Sequence, residues 1–174
     1  MKKLLSLSFL TLTILGFYSC STVGFKAPVP THQNNITYFP KKWIGNYITS
    51  KNDTIRIEKK YFTIDVLGKR QKINLNDTVF LRKLNNKFWC LNIGNKNNEK
   101  LYWFVVPIKE KRNKLQFYTI EFGQKTIDKL EKLNIPYILT DKTTIIITQT
   151  DSATIEKMLD KNIFSKYGTM KKIQ

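Results

Sequence analysis

The segment Leu101-Tyr102-Trp103-Phe104-Val105-Val106-Pro107-Ile108 decides the fold. Successive side chains of a strand point to opposite faces, so Leu101, Trp103 and Val105 take one side and Tyr102, Phe104 and Val106 the other. A strand apolar on both sides belongs inside the structure, with one face in a core and the other covered, a helix being the natural cover. Working back from it, strand signals recur at Trp43–Thr49, Thr54–Lys59, Tyr61–Leu67, Gln71–Leu75, Thr78–Leu84 and Lys87–Gly94, and forward at Leu115–Glu121. The linkers are short and rich in turn formers, such as Lys51-Asn52-Asp53, Asn76-Asp77 and Asn85-Asn86, which suits antiparallel neighbours rather than crossovers. Gln124–Leu133 then carries Ile127, Leu130 and Leu133 at helical spacing. Ile135–Thr140 and Thr143–Thr148 read as two more strands. Asp151–Lys161 reads as a second helix, with Ile155, Met158 and Leu159 on one side and Thr150 or Asp151 as its cap. Phe164–Gly168 reads as a docked tail. The expectation is a mainly β (α+β) domain: an antiparallel β-meander closing into a barrel or strongly curved sheet, with two C-terminal helices.

The first twenty residues have another character. Lys2 and Lys3 precede an apolar run from Leu4 to Tyr18, about 15 residues, whereas a membrane-spanning helix needs roughly 20. That is the layout of a secretory signal, with a positive cytoplasmic flank. Its end, Phe17-Tyr18-Ser19-Cys20, resembles the cleavage and lipidation box of bacterial lipoproteins, Ser19 filling the small-residue position before the cysteine. The resemblance implies a signal peptide over 1–19 and a lipidated Cys20 as the first mature residue. Each buried CH₂ of such lipid contributes about 0.8 kcal/mol, so two or three acyl chains hold firmly. Ser21 stands where an Asp would favour the inner membrane, and no acidic residue follows in Ser21–Lys26. The resemblance therefore implies the outer membrane and its periplasmic face. From Cys20 to Phe39 the chain is polar and punctuated by Pro28 and Pro30, with no apolar period, and reads as a flexible tether. Extended, its roughly 19 residues reach at most about 65 Å. A single domain over 40–174 follows.

The formal charge is +17, and +15 once Lys2 and Lys3 leave with the signal. This balance invites a nucleic-acid reading. Against it, only Arg56, Arg70, Arg82 and Arg112 are arginine, the residue best suited to bidentate phosphate contacts, and the address is outside the cytoplasm. An anionic lipid surface suits the lysines better. With Cys20 lipidated, Cys90 has no partner, so the domain folds without an internal disulfide and Cys90, in Phe88-Trp89-Cys90-Leu91, reads as a buried structural thiol.

The first expected strand carries Trp43-Ile44-Gly45-Asn46-Tyr47. This W-x-G-x-Y followed by a meander resembles the lipocalin-like domains of small bacterial lipoproteins. The resemblance implies a lipocalin-like barrel in which the strand-one aromatic closes one end and the glycine allows close backbone approach. Trp43, Tyr47, Trp89 and Trp103 are accordingly candidate ligand-lining or core aromatics.

Chemistry-bearing patterns are sparse. His32 is the sole histidine and falls in the expected tether, which leaves no Ser-His-Asp or Cys-His set and no His-based zinc site on the domain. No phosphate-binding or dinucleotide glycine motif occurs, and no cofactor is implied. Asp53-Thr54, Asp77-Thr78 and Asp151-Ser152 match an O-glycosylation signal of one group of Gram-negative bacteria, making Thr54, Thr78 and Ser152 candidate acceptors. The same dipeptides also favour turns and helix caps. The expected function is a non-enzymatic ligand- or protein-binding module of the cell envelope, with membrane attachment through Cys20 and an envelope protein or small apolar molecule as partner. The alternative is an envelope glycan hydrolase using paired carboxylates. The anchor has a direct check: wild-type protein takes up labelled palmitate and Cys20→Ala does not. A labelled, membrane-bound Cys20→Ala protein overturns the lipidation assignment.

Overall fold

A computed structural model describes residues 22–66, 69–97, 100–140 and 144–173. The expected signal peptide and the lipidation site Cys20 lie outside the described residues. No described helix is long and apolar enough to cross a membrane. The strands are β1 (Thr22–Phe25), β2 (Gly45–Thr49), β3 (Thr54–Ile57), β4 (Tyr61–Val66), β5 (Lys69–Asn74), β6 (Val79–Lys83), β7 (Phe88–Asn97), β8 (Lys100–Lys111), β9 (Lys114–Thr119), β10 (Tyr137–Thr140), β11 (Thr144–Ile147) and β12 (Ser165–Ile173). The helices are α1 (Gln124–Lys132) and α2 (Ser152–Asp160), preceded by one 3-10 turn at Lys41–Trp43.

All twelve strands form one mixed sheet, ordered β10-β11-β1-β8-β9-β12-β2-β3-β4-β5, with β7 on the other edge of β8 and β6 beyond it. Strand β8 is the branch point. One edge pairs with β7 from Lys100 to Lys109. The opposite edge is shared, with β9 at Ile108–Lys111 and β1 at Trp103. Pro107, which cannot donate a ladder hydrogen bond, falls between those two partners. β5 and β6 do not pair, so the sheet is not closed; of the two expected forms, barrel and strongly curved sheet, the curved sheet fits. Nor is it wholly antiparallel, because β1 runs parallel to β11.

Each face of β8 meets its own core. Ile108, with Leu81, Leu91, Leu115, Met170, Trp43, Tyr47 and Ile57, fills the concave side of the curved sheet. Trp103 and Val105, with Phe80, Cys90, Phe25, Ile145 and Ile147, face the other way and are covered by Leu130 of α1 and by Ile155 and Met158 of α2. The cross-strand rows Leu81–Leu91–Val106 and Phe80–Asn92–Val105 carry this division across three strands.

The expected tether is the largest correction. Residues 22–39 are packed against the domain. Asn92, fully buried, accepts a hydrogen bond from Val29 N at 2.7 Å and donates to Val29 O at 2.8 Å and Cys90 O at 3.2 Å. Arg82 donates through Nη1 to Pro28 O and Pro30 O, each at 2.9 Å, and through Nε to Asn35 Oδ1 at 2.9 Å. Ile36 bridges to Leu81, and Phe39 N donates to Lys59 O at 2.8 Å. A segment with no apolar period is thus held by side chains that satisfy its backbone groups from outside. The expected tail is also more than docked: Ser165–Ile173 forms β12 between β9 and β2, with a bulge between Lys166 and Gly168.

Helix α2 is capped by Asp151, which accepts from Thr154 N at 2.9 Å and from Thr154 Oγ1 at 2.8 Å. The backbone bond from Thr154 holds this carboxyl below its usual value. A folded value lower than the unfolded one, about 3.9 for Asp, adds stability that is complete above the unfolded value and is lost as pH falls through the folded one. Asp151→Ala therefore costs about 1 kcal/mol at neutral pH, shrinking in acid, while Asp151→Asn retains the cap; urea melts from neutral into acidic pH check this. Asn92→Ala strands the buried N–H and C=O of Val29 at about 1–3 kcal/mol each. It is expected to lower urea stability correspondingly and to expose residues 26–35 to proteolysis.

Candidate functional site

The concave side of the sheet is only partly filled. Beside its core lies a cavity of about 590 Å³, within the roughly 300–1,000 Å³ of small-molecule sites. Its deep end is closed by Phe39 and Trp43, with Phe62 beside them; Phe62 meets Phe39 edge-on at a centroid distance of 6.0 Å. The walls come from side chains at i and i+2 on facing strands: Ile55 and Ile57 of β3 and Ile64 of β4 on one side, Leu91, Val106, Ile108, Leu115 and Phe117 of β7–β9 on the other, and Met170 of β12 between them. The polar lining comes from Thr49 at the end of β2, Ser50, Lys51 and Asp53 of the β2–β3 turn, Thr119 at the end of β9 and Tyr167 near the start of β12. Tyr167 stands at the β12 bulge and is 78% exposed. The bulge swings it out to the mouth instead of seating it in the wall.

Trp43 shapes the closed end. Its ring lies 5.7 Å from that of Trp89 in an edge-to-face contact, its Nε1 donates to Glu110 Oε2 at 3.0 Å, and its carbonyl accepts from Tyr47 Oη at 2.9 Å. Burial, and secondarily the charge of Glu110, raises the Tyr47 hydroxyl above its ordinary pKa. Glu110 also pairs with Lys42. Gly45 follows with φ +142°, a conformation side chains disfavour, and the Lys172 chain lies where a Cβ would project.

Of the four candidate aromatics, Trp43 lines the cavity. Tyr47 and Trp89 pack around it, and Trp103 is on the other face of the sheet, 5.2 Å from the Phe80 ring. The other lining residues went unnamed as site residues in the sequence. The signal was present in Ile55/Ile57, Phe62/Ile64, Val106/Ile108 and Leu115/Phe117, four alternating pairs that mark inward faces. Met170 and Tyr167 had no such signal, since β12 reads as polar.

No three carboxylates gather among the described residues. Among the described residues, Asp53 is the one acid lining the cavity, and its Oδ2 accepts from Thr49 Oγ1 at 3.2 Å within the β2–β3 turn. Glu58 and Asp65 pair with Arg56 and Arg70. The basic residues Lys69, Arg70 and Lys72 stand exposed on β5, an edge strand, where charge also discourages pairing with another sheet. Thr54 and Thr78 are exposed and Ser152 half-buried. Thr54 opens β3 directly after the turn in which Asp53 N donates to Thr49 Oγ1, Thr78 sits in a turn where its N donates to Asn76 Oδ1, and Ser152 opens α2 beside its cap Asp151.

No protein-family model matches this chain, and no curated protein or solved structure matches it.

Cys90 belongs to the opposite core. It is fully buried, and burial pushes its thiol up to about 12. A thiol so protonated and enclosed is a poor nucleophile. It is expected to ignore aromatic disulfide reagents in native protein and to react once the protein is unfolded in urea; rapid native labelling would contradict this packing.

Proposed function

We propose that this chain is a non-enzymatic lipoprotein of a bacterial outer membrane, anchored by lipid at Cys20 on the periplasmic face, whose curved, lipocalin-like β domain carries a small apolar or amphipathic molecule. The observation that carries this reading is the cavity of about 590 Å³, walled mostly by isoleucine, leucine, phenylalanine and methionine, with a few polar groups among its lining. Such a site gains from removing apolar ligand surface from water, while the polar groups fix the ligand's orientation. An envelope protein inserting an apolar side chain would use the same mouth.

The glycan hydrolase has less support. Two carboxylates must face each other across the substrate, roughly 5–9 Å apart, and among the described residues Asp53 is the one acid lining the cavity.

Binding is measured with a fluorescent apolar probe such as a polyene fatty acid, added to the mature protein. Saturable, one-to-one binding is expected. Ile64→Trp, which fills the cavity from β4, weakens it about tenfold, the equivalent of about 1.4 kcal/mol. Failure of wild-type protein to bind any such probe, or full binding by a folded Ile64→Trp protein, contradicts the assignment.

A further inference from the structure

A second apolar surface lies outside both cores. Alternation and register place Ile138 of β10, Ile146 of β11 and Gly24 of β1 in one row on one face of the sheet. Tyr102 of β8 lies over Gly24, its Cδ2 2.8 Å from where a Cβ would be, with Ile146 Cδ1 3.2 Å from the same point. Phe104 meets Tyr102 edge-to-face at 5.4 Å. Ile138 is 50% exposed, and Tyr102, Phe104 and Ile146 are each partly exposed and packed into neither core. The Tyr102 hydroxyl accepts from Asn95 Nδ2 at 2.8 Å, leaving an aromatic body with a polar end.

The chain's own connectivity says what meets this face. Cys20 precedes Thr22 by two residues, a reach of at most about 7 Å. Thr22 is the first residue of β1, the strand in the middle of this surface, and is paired with Thr144. A docked segment 22–39 provides no leash, so a lipid on Cys20 holds β1 and its neighbours at the bilayer. Aromatic rings with a polar end favour that interface.

We propose that the face formed by Tyr102, Phe104, Ile138 and Ile146 is seated on the bilayer that holds the Cys20 lipid. The inference rests on the lipoprotein reading above. It changes that reading from a tethered domain to one fixed in orientation, with α2 turned away on the opposite side of the sheet.

The test uses mature, lipidated protein in vesicles of phosphatidylethanolamine and phosphatidylglycerol. Mass spectrometry of the Cys20 peptide comes first: an unmodified Cys20 overturns the anchoring reading and the seating with it. With lipid present, Ile138→Cys and the control Lys157→Cys on α2 are each labelled with a small fluorophore. Both positions are exposed, and Cys20 is blocked and Cys90 buried. Quenching by nitroxide-bearing acyl chains is expected to be several-fold stronger at position 138 than at 157, with the reverse order for aqueous iodide. Equal quenching at the two positions overturns the seating while leaving the anchor intact. Protection of position 138 from iodide without quenching by lipid also overturns it, and points to a protein covering the face.

Discussion

Strand β8 is apolar on both faces over the stretch from Leu101 to Ile108. The remaining architecture covers one face at Trp103 and Val105 and the other at Val106 and Ile108, leaving Tyr102 and Phe104 partly exposed. Ile108 and Val106 turn toward the concave side, where β2–β4 curl back opposite β7–β9. Trp103 and Val105 turn toward α1, α2 and the β10–β11 hairpin. One edge of the strand cannot serve both covers at once. It is divided between β9 and β1, with Pro107 at the division. The sheet stays open where β5 and β6 do not pair, and space is left on its concave side.

That space and its opposite cover have different tolerances. The flank is filled by long aliphatic and aromatic side chains, with Cys90, Leu130, Ile145, Ile155 and Met158 all at 0% exposure. Changes there create voids of the kind that cost several kcal/mol. The concave side has its own packed layer around Trp43, Tyr47 and Leu81, but beyond that layer the walls stand apart. The division sets a densely packed core on one face of the sheet and a partly unfilled cavity on the other.

Much of the sheet was legible. Alternation in Tyr61–Leu67, Thr78–Leu84 and Lys87–Gly94 marked strands within a few residues of β4, β6 and β7, and the 3.6-residue spacing of Ile155, Met158 and Leu159 marked α2. The two strands that the sequence hid are those with little apolar period. Thr22–Phe25 is four residues long and contains Gly24, while Ser165–Ile173 buries Met170 alone. Both are held by neighbours far away in the chain. The docking of 22–39 was invisible for a related reason: it depends on Asn92 and Arg82, polar residues in strands otherwise read for their apolar members. For the site, the inward pairs on β3, β4, β8 and β9 were written in the sequence. What was not written was whether their side chains would meet in the middle, because cavity volume depends on curvature and on a strand order that local pattern does not encode.

On the proposed function, the concave space holds something other than protein. Native mass spectrometry of the protein extracted from its own membrane measures this directly. The proposed function predicts a population heavier than the covalent polypeptide by the mass of one small apolar molecule, released by organic solvent. A single species at the mass of the covalent polypeptide, with nothing released, would contradict it.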